Sequence, residues 1–292
     1  MSTAAIPAPR HALIASFARN RLAFFALVLL ASIVVAAVCA PVISLQNPYD
    51  LAQLDILDAK LPPGSHSADG KTYLLGTDEQ GRDMLSRLLW GGRMTLVAGL
   101  TPVLVAFVVG SALGIAAGFV GRTTSTLIMR TMDIFYAFPS VLLAIAISGA
   151  LGPGLANTLI SLSIVFIPRV VRVAESATVQ VKGLEYIAAA RVSGAGMGAI
   201  VRHHLLANVL GPILVFASTQ VSLSIILAAG LSFLGLGVTP PAAEWGLMLN
   251  TLRQSIYVNA LVPALPGLAI FATSMAFNLL SDGLRDAMEV RG

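Results

Sequence analysis

The sequence predicts an all-α integral membrane protein with six transmembrane helices, on two observations. The first is composition: 57% of the 292 residues are hydrophobic and 11% are charged, whereas about 25% of the residues of soluble domains are charged. The second is that long charge-free intervals recur along the chain, each exceeding the ~20 residues that one spanning helix needs. These intervals are residues 22–49, 94–121, 134–168, 203–243 and 254–281.

Two of these intervals are too long for a single transmembrane helix. As one helix, residues 134–168 would measure roughly 50 Å, against a hydrocarbon core of about 30 Å. Gly152-Pro153-Gly154 is typical of a turn and divides this interval into two antiparallel helices. Residues 203–243 end in a segment rich in glycine and proline, so we interpret them as one helix followed by an outer return loop at 232–260. These divisions give six helices.

Basic residues orient the predicted helices. With six spans, two thirds of the 18 Lys and Arg residues fall on the side that holds both termini and the 182–208 loop. An excess of Lys and Arg marks the cytoplasmic side, and it also explains the net charge of +4 without a nucleic-acid partner. The predicted order is a cytoplasmic N-terminal tail (1–21), a first transmembrane helix (22–45), an outer segment (46–93), a core of five transmembrane helices (94–284) and a cytoplasmic C-terminal tail (285–292).

The outer segment is predicted to end in an interfacial helix within residues 76–93. Thr77 and Gln80 have the spacing of a helix capping box. Asp83 and Arg87 could form an i,i+4 ion pair on the exposed side of this helix. We therefore expect a short amphipathic helix along the outer surface, separate from the second span.

Several residues of the next spans indicate how the helices pack. Glycines recur every four residues from Gly110 to Gly118, a pattern typical of close helix packing. Asp133 lies close to the hydrocarbon and needs a partner, for which Arg130, one turn earlier, is the candidate. Pro139 is expected to kink the third span, either for gating or for packing.

The span that follows the 182–208 loop is the most polar of the six. Polar side chains in a membrane helix usually face the protein interior or a water-filled path. The candidates for lining a path are Ser218, Gln220, Ser222 and Ser224. On the preceding span, Arg169 and Arg172 are interpreted as anchors that reach the inner headgroups.

The 182–208 loop is predicted to form a helix, a bend and a second helix. Its first half is rich in helix formers, and Gly194, Gly196 and Gly198 then favour a bend. Two short helices at an angle could dock in a groove of another protein, or the loop could be a connector packed on its own helix ends. The spacing alone leaves both interpretations open.

Five parts of the sequence resemble a known family. Residues 188–196 (AAARVSGAG) and 204–208 (HLLAN) are similar to the cytoplasmic EAA loop of ATP-binding cassette (ABC) importer permeases. Ala188 stands where that family has Glu, and Ala207 lies near its usual Pro. Four further stretches resemble the dipeptide, oligopeptide and nickel branch of these permeases. They are GTDEQGRD (76–83), MRTMDIFYAFPS (129–140) near the start of the third span, GLSFLGLGVTPPAAEWG (230–246) and FNLLSDGLRDAME (277–289).

This resemblance implies the type I ABC importer permease fold and a set of partners. Two homologous permeases would pair around the path, two cytoplasmic ATPases would dock from inside, and an extracytoplasmic binding protein would deliver the substrate. The chain would lie in the bacterial inner membrane with both termini in the cytoplasm. The residues that the resemblance assigns to the ATPase-coupling loop are Ala188, Ala189, Ala190, Arg191, Gly194, His204, Leu205 and Asn208.

The sequence offers no catalytic or metal site. Gly70-Lys71-Thr72 is a poor phosphate-binding loop, because five residues rather than four separate it from Gly64. No cofactor is therefore expected in this chain, and ATP and Mg²⁺ would be bound by the partner ATPases. The alternative is a secondary transporter or channel, which would need carboxylates deep in the spans, yet only Asp133 and Asp282 lie near span ends. Dipeptides, oligopeptides, opine-like conjugates and nickel chelates are not distinguished as substrates.

Overall fold

A computed structural model describes residue 17 and residues 19–67, 70–257 and 259–289. Most of the predicted N-terminal tail (1–21) and residues 290–292 of the C-terminal tail lie outside the described residues. The α-helices are α1 (Arg21–Ile43), α2 (Met84–Phe119), α3 (Arg122–Tyr136), α4 (Ser140–Leu151), α5 (Leu155–Lys182), α6 (Glu185–Val192), α7 (Met197–Ile200), α8 (Leu206–Phe233), α9 (Trp245–Leu252) and α10 (Leu261–Glu289).

Short elements connect these helices. A π-helical turn joins α7 to α8, so the two run on as one long helix. Two short strands form an antiparallel hairpin in the outer segment, and 3₁₀ turns precede the hairpin and follow α9. These elements are β1 (Ser65–His66), β2 (Thr72–Tyr73), the π-helical turn Val201–Leu205 and the 3₁₀ turns Leu51–Gln53, Ile56–Asp58 and Arg253–Tyr257.

Among the described residues, five helices are long and apolar enough to cross a membrane. They are α1, α2, α5, the continuous α7–α8 helix and α10. The pair α3 and α4 passes the same test only when taken together, and its two halves meet at 88°. Counting that pair as one broken span gives the six spans that the sequence predicts.

The break between α3 and α4 lies at Pro139, where the sequence predicts a kink. Proline has no amide to donate, and it disfavours the helical conformation of the residue before it, here Phe138. The resulting bend is much sharper than a kink within one helix, because α3 ends at Tyr136 and α4 starts anew at Ser140.

The prediction of a separate interfacial helix within residues 76–93 is wrong. α2 begins at Met84 and continues to Phe119 without a break, with Asp83 rather than Thr77 as its N-cap. Gly91 and Gly92 lie inside the helix and do not end it. Their missing side chains let the return loop pack closely against α2, since a Cβ on Gly91 would clash with the carbonyl oxygen of Ala243. The helix is thus held by tertiary contacts at the glycines that would weaken it in isolation.

The glycine ridge of α2 packs as predicted, and its neighbour is α5. A Cβ added to Gly114 would lie 2.5 Å from the Cβ of Ala174. Gly110 and Gly118 approach the same helix as closely, with 2.7 Å from an added Cβ to the nearest side-chain atom in each case. The main hydrophobic core lies between α2, α5 and α8, where Phe166 and Ile225 are fully buried.

Candidate functional site

The 182–208 loop folds as helix, turn and helix, as its sequence predicts. α6 ends in a Schellman motif: the amide of Gly194 donates to the carbonyl of Arg191 (3.0 Å), and the amide of Ala195 donates to that of Ala190 (3.0 Å). Gly194 has φ +82°, a conformation that side-chain-bearing residues rarely adopt. No other atom lies within 4 Å of a Cβ built on Gly194, so the backbone conformation alone requires glycine there.

Three buried side chains attach this loop to the helix bundle. Ile187, Ile200 and Leu205 are fully or almost fully buried and belong to the main core. Leu205 was expected at the docking surface, but its exposed fraction is 0%. The helical course through the π turn points this side chain inward, so it anchors the loop and cannot itself touch a partner.

The other residues predicted for the coupling loop remain accessible. Ala190 and His204 are half-buried. The exposed ones are Ala188, Ala189, Arg191, Gly194 and Asn208. Sequence reasoning missed Leu184 and Val192, which are 47% and 90% exposed. With Ala188 they fall at i, i+4 and i+8 and form one apolar stripe along α6, a spacing that could have revealed it.

Polar contacts also tie the loop to the ends of two long helices. The ammonium group of Lys182 donates to the carbonyls of Gly118 (3.0 Å) and Phe119 (3.1 Å) at the end of α2. Asn208 Nδ2 donates to the Tyr186 hydroxyl (3.1 Å), linking α8 to α6, and burial raises the pKa of Tyr186. The loop is therefore bonded to the end of α2 through Lys182, the last residue of α5, and its α6 is bonded to α8 through Tyr186.

The predicted path-lining residues of α8 mostly contact neighbouring helices of this chain. Ser218 Oγ lies 2.6 Å from Ser281 Oγ, and Ser222 Oγ donates to Asn278 Oδ1 (2.6 Å), so both serines bind α10. Ser224 is fully buried, and its hydroxyl has no hydrogen-bond partner among the described residues. These three hydroxyls are thus placed between helices, whereas Gln220 points to α5 and accepts a hydrogen bond from Arg169 (3.1 Å).

The two arginines interpreted as headgroup anchors make side-chain contacts with other helices of this chain, and the Arg172 side chain is still 43% exposed. Arg172 Nη2 forms an ion pair with Asp133 Oδ1 (2.6 Å), and its guanidinium lies 4.2 Å from the centre of the Tyr136 ring. The prediction that Arg130 pairs with Asp133 is therefore wrong. Because α3 packs against α5, Arg172 lies closer to this carboxylate. Arg169 donates to Gln220 Oε1 (3.1 Å) and Ser140 Oγ (2.9 Å).

The GTDEQGRD sequence of the outer segment forms a clamp around a buried charge. Asp78 Oδ2 accepts hydrogen bonds from Arg82 Nε and from Arg87 Nη1, both at 2.6 Å. Asp83, the predicted partner of Arg87, caps α2 by accepting from the amide of Ser86 (2.8 Å). The predicted i,i+4 ion pair between Asp83 and Arg87 is therefore wrong. The carboxylate of Asp83 caps the start of α2, and the loop before this helix brings Asp78 to Arg87.

The outer return loop is fixed to α2 through Glu244, which is fully buried. Its carboxylate caps α9 by accepting from the amides of Gly246 (2.9 Å) and Leu247 (2.8 Å). Burial raises the pKa of this carboxyl, and the two backbone donors oppose that rise. Thr95 Oγ1 of α2 donates to Glu244 Oε1 (3.4 Å) and accepts from the amide of Trp245 (3.1 Å), so the loop is bound to α2 at two adjacent residues.

Two families match the chain. The binding-protein-dependent transport system inner membrane component matches residues 110–291, and the N-terminal transmembrane domain of oligopeptide transport permease C matches residues 11–63. The Di/tripeptide transport system permease protein DppC of Pseudomonas aeruginosa is 43% identical over 284 residues, covering 97% of this chain and 92% of that protein. The Glutathione transport system permease protein GsiD of Pectobacterium atrosepticum is 43% identical over 83% of this chain and 79% of its own length.

A solved structure shows the same fold. The MetNI methionine ABC transporter in an inward-facing conformation contains a chain that superposes with a TM-score of 0.56 at 19% sequence identity. The match covers 71% of this chain and 97% of that one. The chain therefore belongs to the family of binding-protein-dependent transport system inner membrane components, and it is a permease subunit of an ATP-driven importer with the type I fold.

Proposed function

We propose that this permease receives the motion of cytoplasmic ATPases through its 182–208 loop and forms half of a path for peptides or related small solutes. The observation that carries the proposal is the construction of the loop. Its turn is fixed by the φ +82° conformation of Gly194, its inner side is anchored by Ile187 and Ile200, and Lys182 binds the end of α2. A push on the exposed side would move the helices as a unit.

The docking surface that we propose is the apolar stripe of α6, Leu184, Ala188 and Val192. Leu184 and Val192 are 47% and 90% exposed, and apolar side chains that are exposed side by side are typical of a surface that binds a partner. Ala188 stands where permeases with an EAA loop have Glu, so this chain docks with apolar contacts where those permeases have a carboxylate.

We further propose the rest of the assembly from the family. A homologous second permease pairs with this one, two ATPases bind on the cytoplasmic side, and an extracytoplasmic binding protein delivers the solute. ATP and Mg²⁺ are bound by the ATPases and not by this chain. Relatives named for di/tripeptides and for glutathione support a peptide substrate. Within the part of the chain that the structure describes, no contact favours the alternative of a secondary transporter or channel.

Reconstituted uptake tests this function. The importer, purified from its host through a tag on this chain and placed in proteoliposomes, should take up a labelled dipeptide only with ATP and the binding protein present. The purified chain alone should bind no ATP. Uptake driven by a proton gradient without ATP would instead establish a secondary transporter.

Labelling of introduced cysteines tests the proposed orientation in the bacterial inner membrane. In a Cys39→Ala background, Leu57→Cys should react with an impermeant thiol reagent added from outside, since Leu57 is 87% exposed in the outer segment. Ser193→Cys, exposed in the 182–208 loop, should react only after the membrane is opened. The reverse pattern would place the loop outside, where no ATPase could dock.

A further inference from the structure

Arg169 carries a charge in the middle of a membrane-spanning helix. It lies about 21 Å along the axis of α5 from Leu155, which is within the ~30 Å of a hydrocarbon core that begins at that end of the helix. A guanidinium at such a depth is costly and usually marks a functional site or an ion pair. In the described part of the chain, no carboxylate pairs with it, and the Asp133 carboxylate on nearby α3 is taken by Arg172.

Neutral groups hold this guanidinium in position. Nη1 donates to Gln220 Oε1 of α8 (3.1 Å), and Nη2 donates to Ser140 Oγ of α4 (2.9 Å). These contacts use two of the five N–H donors of a guanidinium. The amide and hydroxyl orient the planar group without neutralising it, so its positive charge remains available to a ligand.

A cavity of about 70 Å³ adjoins the guanidinium, lined by α3, α4 and α5. A water molecule occupies about 30 Å³ of liquid, so this space accommodates a carboxylate group. Aromatic and aliphatic side chains line the rest of the cavity, and two of the aromatic ones, Tyr136 and Phe138, are 49% and 56% exposed. This chain therefore leaves the cavity rim uncovered, and a solute can reach the guanidinium from that side.

The surroundings favour an anion over any other ligand. Ser140 is the first residue of α4, and no side chain caps that helix start, so its positive dipole end lies beside the arginine. A planar guanidinium matches the two oxygens of a carboxylate. We propose that Arg169 is a substrate-binding residue within the membrane, which receives the carboxylate of a peptide or similar solute during its passage. This proposal rests on the proposed function.

Variants of Arg169 in the reconstituted importer test the assignment. Arg169→Gln should lower dipeptide uptake by at least about tenfold, because a lost charge-assisted hydrogen bond is worth roughly that factor. Arg169→Lys should retain clearly more uptake than Arg169→Gln, since it keeps the charge. Assembly and ATP hydrolysis stimulated by the loaded binding protein should stay within about twofold of wild type for both.

Arg130→Gln is the matched control. Arg130 is exposed on α3, and its substitution removes the same charge from the same region. It should transport like wild type. Wild-type uptake by Arg169→Gln would overturn the assignment, and equal losses in Arg169→Lys and Arg169→Gln would indicate a purely structural role. If wild type itself shows no ATP-dependent peptide uptake, the proposed function fails instead.

The lipid composition of the vesicles separates a solute carboxylate from a lipid phosphate. The ratio of Arg169→Gln to wild-type uptake should be the same in purely zwitterionic vesicles and in vesicles that contain anionic phospholipid. A defect seen only with anionic lipid would assign the guanidinium to a headgroup and overturn the proposal. Where wild type also transports a dipeptide with an amidated C-terminus, Arg169→Gln should reduce the uptake of that amide by a smaller factor than the uptake of the free acid.

Discussion

Gly194→Val is expected to abolish the coupling of ATP hydrolysis to uptake while leaving the transmembrane helices inserted. Gly194 has φ +82° in the turn after α6, where a β-branched residue is strained by about 1 to 3 kcal/mol. Nothing within 4 Å would clash with the new side chain, so the turn can escape the strain by changing its backbone conformation. That change would redirect α6 and the apolar stripe that we propose as the docking surface.

Gly196→Val is the matched control, two residues further along the same turn. Gly196 has φ −65° and equally open surroundings, so valine fits there without backbone strain. We expect Gly194→Val to reduce both ATPase co-purification and dipeptide uptake by at least about tenfold, the scale of such a strain energy. Gly196→Val should reduce both much less. Equal behaviour of the two variants would mean that the 182–208 loop is a connector and not the coupling element.

Asp78→Asn is expected to cause the largest loss of stability in the outer segment. Asp78 and Arg87 are each 2% exposed in their side chains and form an ion pair of 2.6 Å. The amide keeps an oxygen for the backbone donors of the loop but leaves the guanidinium charge of Arg87 buried and uncompensated. Removing one partner of a buried pair costs about 3 to 5 kcal/mol. The thermal unfolding midpoint of the purified chain in detergent measures this loss.

The neighbouring carboxylate provides the control for Asp78. Glu79 pairs with Lys60 at 3.6 Å, but these side chains are 42% and 53% exposed, and such pairs contribute only about 0 to 1 kcal/mol. Glu79→Gln should therefore unfold close to wild type. Adding Arg87→Met to Asp78→Asn removes the unpaired charge and should recover much of the lost stability. If Asp78→Asn is as stable as Glu79→Gln, the buried pair does not hold the outer segment to α2.

Arg87, which is buried, and Arg169, which is half-buried, differ in their partners. Arg87 is neutralised by a carboxylate close in sequence, so its role is to fix the outer segment on the start of α2. Arg169 is held by an amide and a hydroxyl on two other helices and faces a cavity. The charge of Arg87 is compensated within the chain, whereas the charge of Arg169 remains available to a ligand. The two variants should accordingly fail in different assays, unfolding for Asp78→Asn and uptake for Arg169→Gln.

The sequence by itself determined the features that depend on composition and on neighbours along the chain. Apolar length specified the spans, because a helix needs a fixed number of residues to cross the hydrocarbon. Glycine spacing specified the packing ridge of α2, and Gly194 specified the end of α6, because both effects follow from the absence of a Cβ. Pro139 specified a bend, although not its angle of 88°.

Only the tertiary structure decided which distant groups meet. Asp133 pairs with Arg172 rather than Arg130, and Asp78 rather than Asp83 pairs with Arg87, because helix packing and loop folding bring these charges closer than their neighbours in sequence. Leu205 turned inward because the continuous α7–α8 helix sets its direction. The environment of Arg169 arises from four helices, α3, α4, α5 and α8, and local patterns in a sequence carry no information about such a meeting until the helices are packed.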